Sequence, residues 1–320
     1  MFADLAALDL DQLLAEPDTG TAPAACIISV GSGGRGCGKT ALCWLIALTL
    51  SRKGHRTILL DSDLAAAGLY GRTRLPVSDQ FLHHFLQRRD ADINILPRPV
   101  DNKNLYLITG SPSVQSHTRL SLAAKQKILL HLHRLSAEYI VIDCGQGPSY
   151  PHLDLFLAAD LPIVVARLPN SSLLESYQFI RTGFFRRIQH RSRHWPELFE
   201  RLSRCGDITR AGEIRTLPAF LARHGEAHPH LCAVIQEGLD GYKPRLVINR
   251  AGAGMERRRI QAMQELLLQA MGITLSSWGE IGEDENIKKS EAAGQVGMLL
   301  RGSAAMEVAE LVRQRLLTRA

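Results

Sequence analysis

Residues 31–40 read GSGGRGCGKT, and this segment limits the possible folds more than any other part of the chain. It lies between an apolar run, Cys26-Ile27-Ile28-Ser29-Val30, and a helix-like run from Ala41 to Leu50. From Gly33 it fits G-x-x-x-x-G-K-[ST], with Gly33, Gly38, Lys39 and Thr40 at the fixed positions. Glycines let the backbone turn its N–H groups onto phosphate oxygens, and the N-terminus of the following helix adds positive potential. Lys39 is placed to reach the β- and γ-phosphates, and the Thr40 hydroxyl to ligate Mg²⁺. With a strand before it and a helix after it, the segment reads as a nucleotide-binding loop rather than an ordinary glycine-rich turn. The expected cradle is Gly33, Gly34, Arg35, Gly36, Cys37, Gly38, Lys39, Thr40 and Ala41.

The rest of the chain suits an α/β domain. At 320 residues, 45% hydrophobic, it can bury a sizeable core. Outside the first 23 residues, apolar runs alternate with helical periodicity. Strands are expected at 25–30, 57–61, 105–109, 139–143, 162–166, 245–249 and 273–281. Helices are expected at 39–52, 120–135, 173–188, 257–271 and 304–317. Near-continuous Val/Ile/Leu strands alternating with helices predict a mostly parallel sheet flanked by helices on both faces, with ligands at the strands' carboxyl ends. Residues 1–23 form a short amphipathic segment and a linker, and 24–320 the domain. Between about 190 and 242 only short helical pieces occur (196–204, 217–223, 231–237), which reads as a helical insertion.

Several classes are disfavoured. The six cysteines show no C-x-x-C and no clustering with histidines, so a disulfide framework, a zinc site and an iron–sulfur carrier are not expected. The early residues are acidic at Asp4, Asp9 and Asp11, unlike a secretory signal, and the apolar run at 41–50 is too short to span a bilayer. A cytoplasmic setting is the expectation. The net charge of +6 permits contact with nucleic acid without requiring it. Much of the excess lies in the seven arginines between Arg181 and Arg204, facing two glutamates, and in Arg257-Arg258-Arg259.

A phosphate loop needs carboxylates that hold magnesium and orient water. The run 57–61 ends in Asp61-Ser62-Asp63, and 139–143 ends in Asp143. Both carboxylate sets fall where the ligand edge should be. Asp143 is the candidate Walker B residue, with Asp61 a further candidate metal ligand. The alternative is that strand-terminal aspartates cap the helices that follow.

The order GSGGRGCGKT, GHRTILLDSDLAAAGLY and YIVIDCGQG resembles the MinD/ParA class of P-loop ATPases. The likeness continues through LVINR and IGEDENIKKSEAAGQVGML, and the helix ending FFRRI is closest to the FlhG-like branch. The resemblance implies an ATP- and Mg²⁺-dependent switch that forms a nucleotide-dependent homodimer and is triggered by an activating protein partner. It implies that Lys39 is the Walker lysine, that Asp63 orients the attacking water, and that Asn249 meets the adenine edge. A role in positioning flagellar or polar machinery is the expected function, with polar or nucleoid-associated placement. A ParA-like DNA-partitioning protein that holds DNA non-specifically through its arginines is the alternative. A membrane-binding tail is not expected, because the segment 304–317 reads as the domain's last packing helix.

The chain departs from the class pattern at the signature lysine, whose position is taken by Gly34. Arg35 stands beside it as a substitute cation, with a planar guanidinium and a Cα one position displaced. Ala65, Gly68 and Gly282 replace the usual Gly, Asn and Pro. These changes leave two readings, slow partner-stimulated hydrolysis with Arg35 as stand-in or a nucleotide-binding pseudo-ATPase.

Overall fold

The computed structural model of the chain describes residues 25–62, 69–73, 81–88, 92–100, 102–110, 122–145, 147–167, 170–209, 216–251, 256–293 and 295–319. The N-terminal segment 1–23 lies outside these residues, as do Asp63, Ala65 and Gly68.

The apolar runs form one eight-stranded sheet. Its strands are β1 (Cys26–Gly31), β2 (Thr57–Asp61), β3 (Arg98–Val100), β4 (Asn102–Ile108), β5 (Tyr139–Asp143), β6 (Leu161–Ala166), β7 (Arg245–Ala251) and β8 (Ser276–Gly282). They lie in the order β3-β4-β2-β5-β1-β6-β7-β8. All neighbours pair in parallel except β3 with β4. Side chains alternate across the sheet. Ile27, Ile58, Ile140, Val164 and Ile248 enter one core, while Ile28, Leu59, Val141, Ile163 and Val247 enter the other. Because both faces are covered, each central strand is apolar at consecutive positions.

The helices are α1 (Lys39–Arg52), α2 (Leu82–Gln87), α3 (Leu122–Leu132), α4 (Tyr150–Leu157), α5 (Asn170–Gln189), α6 (Pro196–Leu202), α7 (Leu217–His224), α8 (Pro229–Asp240), α9 (Glu256–Met271), α10 (Glu285–Ala293) and α11 (Ser303–Arg315). In α1 every residue from Ala41 to Ser51 is buried, as expected of a helix apolar on all sides. It packs between the sheet and α11, whose Ala304, Ala305, Val308 and Val312 are buried in the same core. Leu316 and Leu317 pack against that core too. No helix among the described residues is long and apolar enough to cross a membrane.

The helical pieces expected between 190 and 242 are α6, α7 and α8. They thicken the opposite layer, with Leu202, Leu217, Phe220, Leu231 and Ile235 in the core that α5 and α9 also line. Two α5 side chains pin the first turn of this region. The Tyr177 hydroxyl donates to the Gly206 carbonyl at 2.7 Å, and Arg181 donates from Nε to the Cys205 carbonyl at 2.8 Å and from its guanidinium to Ser203.

The last strand begins later than its apolar run suggests. Gly272, left-handed at φ 68°, donates its N–H to the Leu268 carbonyl at 2.9 Å and ends α9. Ile273 and Leu275 are buried in the connection, and pairing starts at Ser276.

Candidate nucleotide-binding site

Register brings the candidate residues together. Val30 at the end of β1 stands opposite Asp143 at the end of β5, and Asp143 stands opposite Asp61 at the end of β2. The glycine-rich loop therefore leaves the sheet beside two carboxylates. It enters α1 through Gly38, left-handed at φ 93°, and no side chain caps the helix N-terminus. The first N–H groups of α1 are thus left for an outside acceptor.

Lys39 is folded over this loop. Its ammonium donates to the Ser32 hydroxyl at 2.7 Å and to the Gly34 carbonyl at 3.3 Å. The Ser32 hydroxyl itself donates to the Gly34 carbonyl at 2.7 Å. Ser32 is buried and steers the lysine, a role the motif alone does not predict. The Thr40 hydroxyl donates to Asp143 Oδ2 at 2.6 Å. A hydroxyl and a carboxylate meeting at the entrance to the helix suit a hard divalent cation that keeps most of its shell from phosphate and water. Among the described residues no group of three or more His, Cys, Asp or Glu could hold a metal by itself.

Asp61 is nearly fully buried, and its Oδ2 accepts from the Leu69 N–H at 3.1 Å and the Thr109 hydroxyl at 3.4 Å. It ties the end of β2 to the segments that carry Leu69 and Thr109. Asn249 packs under the loop, where its amide donates to the Cys37 carbonyl at 2.8 Å while its oxygen accepts from the Arg250 N–H at 3.0 Å. A Cβ on Gly38 would lie 1.9 Å from that amide nitrogen, so the glycine serves both the turn and this contact. Arg35 and Gly36 are the exposed residues of the loop. The Cys37 side chain is buried, with Sγ 3.8 Å from the Lys39 ammonium. Behind the loop, burial pushes the thiols of Cys43 and Cys144 up, and the Asp143 carboxylate adds to this.

Glu175 in the first turns of α5 is a participant the sequence did not suggest. A Cβ on Gly33 would lie 2.0 Å from the Glu175 carbonyl oxygen, and one on Gly34 would lie 1.9 Å from its Oε2. The loop and α5 touch backbone to backbone, and a carboxylate occupies the space beside position 34.

Four of the ten arginines proposed for DNA contact are committed within the chain. Arg181 is buried on the Ser203–Cys205 turn, Arg186 binds Asp154, Arg191 pairs with Glu237 and Arg204 with Glu200. Arg257, Arg258 and Arg259 are exposed.

No protein-family model matches the chain. It is 31% identical to the septum site-determining protein MinD of Escherichia coli over 154 residues, 47% of this chain and 56% of that protein. It is 28% identical to an uncharacterised ATP-binding protein of Methanocaldococcus jannaschii over 155 residues, 48% of this chain and 57% of that one. The chain thus spans about half the length of the curated relatives it matches. Among solved structures it is similar to MinD of Pyrococcus horikoshii complexed with Mg-ADP, at TM-score 0.57 and 17% identity over 92% of this chain and 97% of that one. A ParA family ATPase of Chlorobium tepidum superposes at TM-score 0.58 and 13% identity, over 90% and 97%. The fold is that of the MinD/ParA-type P-loop NTPases. In sequence the chain is similar to MinD proteins over about half of their length.

Proposed function

We propose that the chain binds ATP with Mg²⁺ and works as a nucleotide-switched, slowly hydrolysing ATPase of MinD/ParA type. The observation that carries this reading is the meeting of Lys39, Thr40 and Asp143 at an uncapped helix N-terminus. Lys39 would exchange its neutral partners, Ser32 and the Gly34 carbonyl, for the β- and γ-phosphates. Thr40 and Asp143 would hold Mg²⁺, with Asp61 behind them. Asp63 would orient the attacking water, and Asn249 would keep the loop seated beside the adenine. The solved relatives include a MinD bound to Mg-ADP and a MinC:MinD complex of Aquifex aeolicus. From the resemblance of its motifs to the MinD/ParA class, the proposal extends to a nucleotide-dependent homodimer, an activating protein partner and an FlhG-like role in positioning flagellar or polar machinery.

Gly34 favours a second reading of the same site, a nucleotide-binding scaffold with little turnover. The Glu175 carboxylate lies beside position 34, where the class pattern has its signature lysine, and Arg35 is the nearby cation. Losing a trans-acting cation costs roughly 10³–10⁵ in rate in related phosphoryl transfers. Size-exclusion and phosphate-release assays with ATP, with ADP and without nucleotide, at low and physiological salt, test both readings. An ATP-specific shift to a dimer with slow phosphate release supports the switch. An ATP-specific shift without phosphate release supports the scaffold. No shift and no release contradict both.

A further inference from the structure

Two charged side chains beside the phosphate loop stand without partners. Arg35 is exposed in the loop and Glu175 is exposed on α5. Among the described residues neither makes an ion pair or a side-chain hydrogen bond, and they do not pair with each other. Other exposed arginines find acids within the chain, Arg191 at Glu237, Arg204 at Glu200 and Arg313 at Glu310. The Glu175 carboxylate lies against Gly34, where a Cβ would stand 1.9 Å from Oε2 and 2.9 Å from Cδ. Arg35 is the next residue along the loop. One cation and one anion therefore border each other on a single surface, both open to solvent.

The surroundings suit contact with another protein. Helices α4 and α5 begin at the carboxyl end of the sheet, after β5 and β6. There they expose two large apolar side chains, Tyr150 at 51% and Leu174 at 42%. Leu174 precedes Glu175 in sequence, and the Tyr150 ring is steadied by Arg186, whose guanidinium carbon lies 4.6 Å from the ring centre. Aromatic and apolar side chains beside polar ones are the make-up of a protein–protein contact.

A two-fold dimer makes each contact twice, residue i of one copy on j of the other and j on i. A patch that carries one charge of each sign is self-complementary under that operation, whereas a patch of one sign repels its own copy. We propose that, in the nucleotide-dependent homodimer on which this inference rests, Arg35 of each copy pairs with Glu175 of the other. The planar guanidinium matches a carboxylate with two parallel hydrogen bonds. Two such pairs flank the phosphate loops, and Arg35 fastens the dimer rather than reaching the triphosphate. The carboxylate beside Gly34 thus receives a cation from the second copy.

Analytical ultracentrifugation of the full chain with Mg²⁺ and a saturating non-hydrolysable ATP analogue tests the pairing, with analogue binding by each protein checked calorimetrically. Arg35→Glu and Glu175→Arg each set like charges at both contacts, and each alone is expected to weaken dimerisation at least about tenfold. Mixed in equal amounts, the two variants are expected to associate within about threefold of wild-type affinity, because their heterodimer sets opposite charges at both contacts. Neither an interaction within one chain nor a misfolded variant produces that recovery. A second series leaves the loop unaltered: dimerisation is expected to weaken in the order wild type, Glu175→Gln, Glu175→Arg. Equal affinity across that series, or a mixture no more dimeric than either variant alone, would overturn the pairing and leave the nucleotide-switched dimer standing. A wild type that stays monomeric with the analogue would overturn both.

Discussion

Gly34 and Glu175 compete for one volume: any Cβ at position 34 would stand 1.9 Å from the Glu175 Oε2. The contact involves the far end of an exposed side chain, so a larger residue at 34 displaces the carboxylate rather than the helix. A lysine there would gain Glu175 as a counter-charge. We expect Gly34→Lys to fold and to release phosphate from ATP at least about tenfold faster than the wild type, within the range a positioned cation supplies. Steady-state phosphate assays measure this. An unchanged rate would mean that Arg35 already fills the role or that another step limits turnover.

Position 33 behaves differently, because its neighbour is backbone. A Cβ there would lie 2.0 Å from the Glu175 carbonyl oxygen, and α5 would have to move. Gly33→Ala is expected to cost about 1–3 kcal/mol of stability through overpacking and to weaken nucleotide binding. Gly36→Ala is the control, since Gly36 has φ 66° with nothing within 4 Å of its Cβ. It should cost only about 1–2 kcal/mol, from the left-handed backbone. Thermal unfolding and nucleotide titration of the two variants distinguish backbone contact from conformational strain.

Gly282 replaces a proline of the class pattern, and the structure supplies a reason. Its N–H donates to Glu307 Oε2 on α11 at 2.8 Å, a bond proline cannot make. A Cβ at 282 would meet Glu307 only at 3.4 Å. Gly282→Ala should be nearly neutral. Gly282→Pro should lose about 1–3 kcal/mol, the usual cost of stranding a charged acceptor, read as a lower unfolding midpoint in urea.

Stability should rise from acid towards neutral pH. Burial holds the imidazoles of His83 and His131 below their usual range, and for His83 the neighbouring His84 adds to this. The unfolded chain therefore binds more protons than the folded chain once pH falls below about 6.5. Stability from these groups is complete above that value and is lost as pH falls through it towards the folded pKa values. Melting temperatures at pH 5.5 and 7.5 should show the rise, and His131→Gln should shrink it. An equal slope in that variant would assign the effect elsewhere.

The parts of the fold legible in the sequence are those set by local pattern. The bounds of β2, β5 and α1 coincide with the expected 57–61, 139–143 and 39–52, because each is an apolar run closed by a strong stop. The three-residue β3 carries Pro99 and pairs antiparallel at the sheet edge, where proline is tolerated, so it gave no strand pattern. Helix α4 had a readable start, Ser149 followed by Tyr150-Pro151, but its eight residues were too short for a clear period. At the site, Lys39, Thr40 and Asp143 could be read from motif and strand ends. Glu175 could not, since its nearness to Gly33 and Gly34 depends on how α5 crosses the loop. Nor could the Asn249 contact with Cys37, which joins residues 212 apart in sequence. The Lys125–Asp154–Arg186 cluster joining α3, α4 and α5 is tertiary for the same reason.

The account rests on Lys39 and the uncapped start of α1 receiving a triphosphate. Isothermal titration of the wild type and Lys39→Ala with ATP and Mg²⁺ tests this most directly. Saturable binding by the wild type, weakened at least about tenfold in the variant, is the predicted result. No heat from the wild type at about millimolar ATP, the weak end of the affinity scale, or equal binding by both proteins, would contradict it.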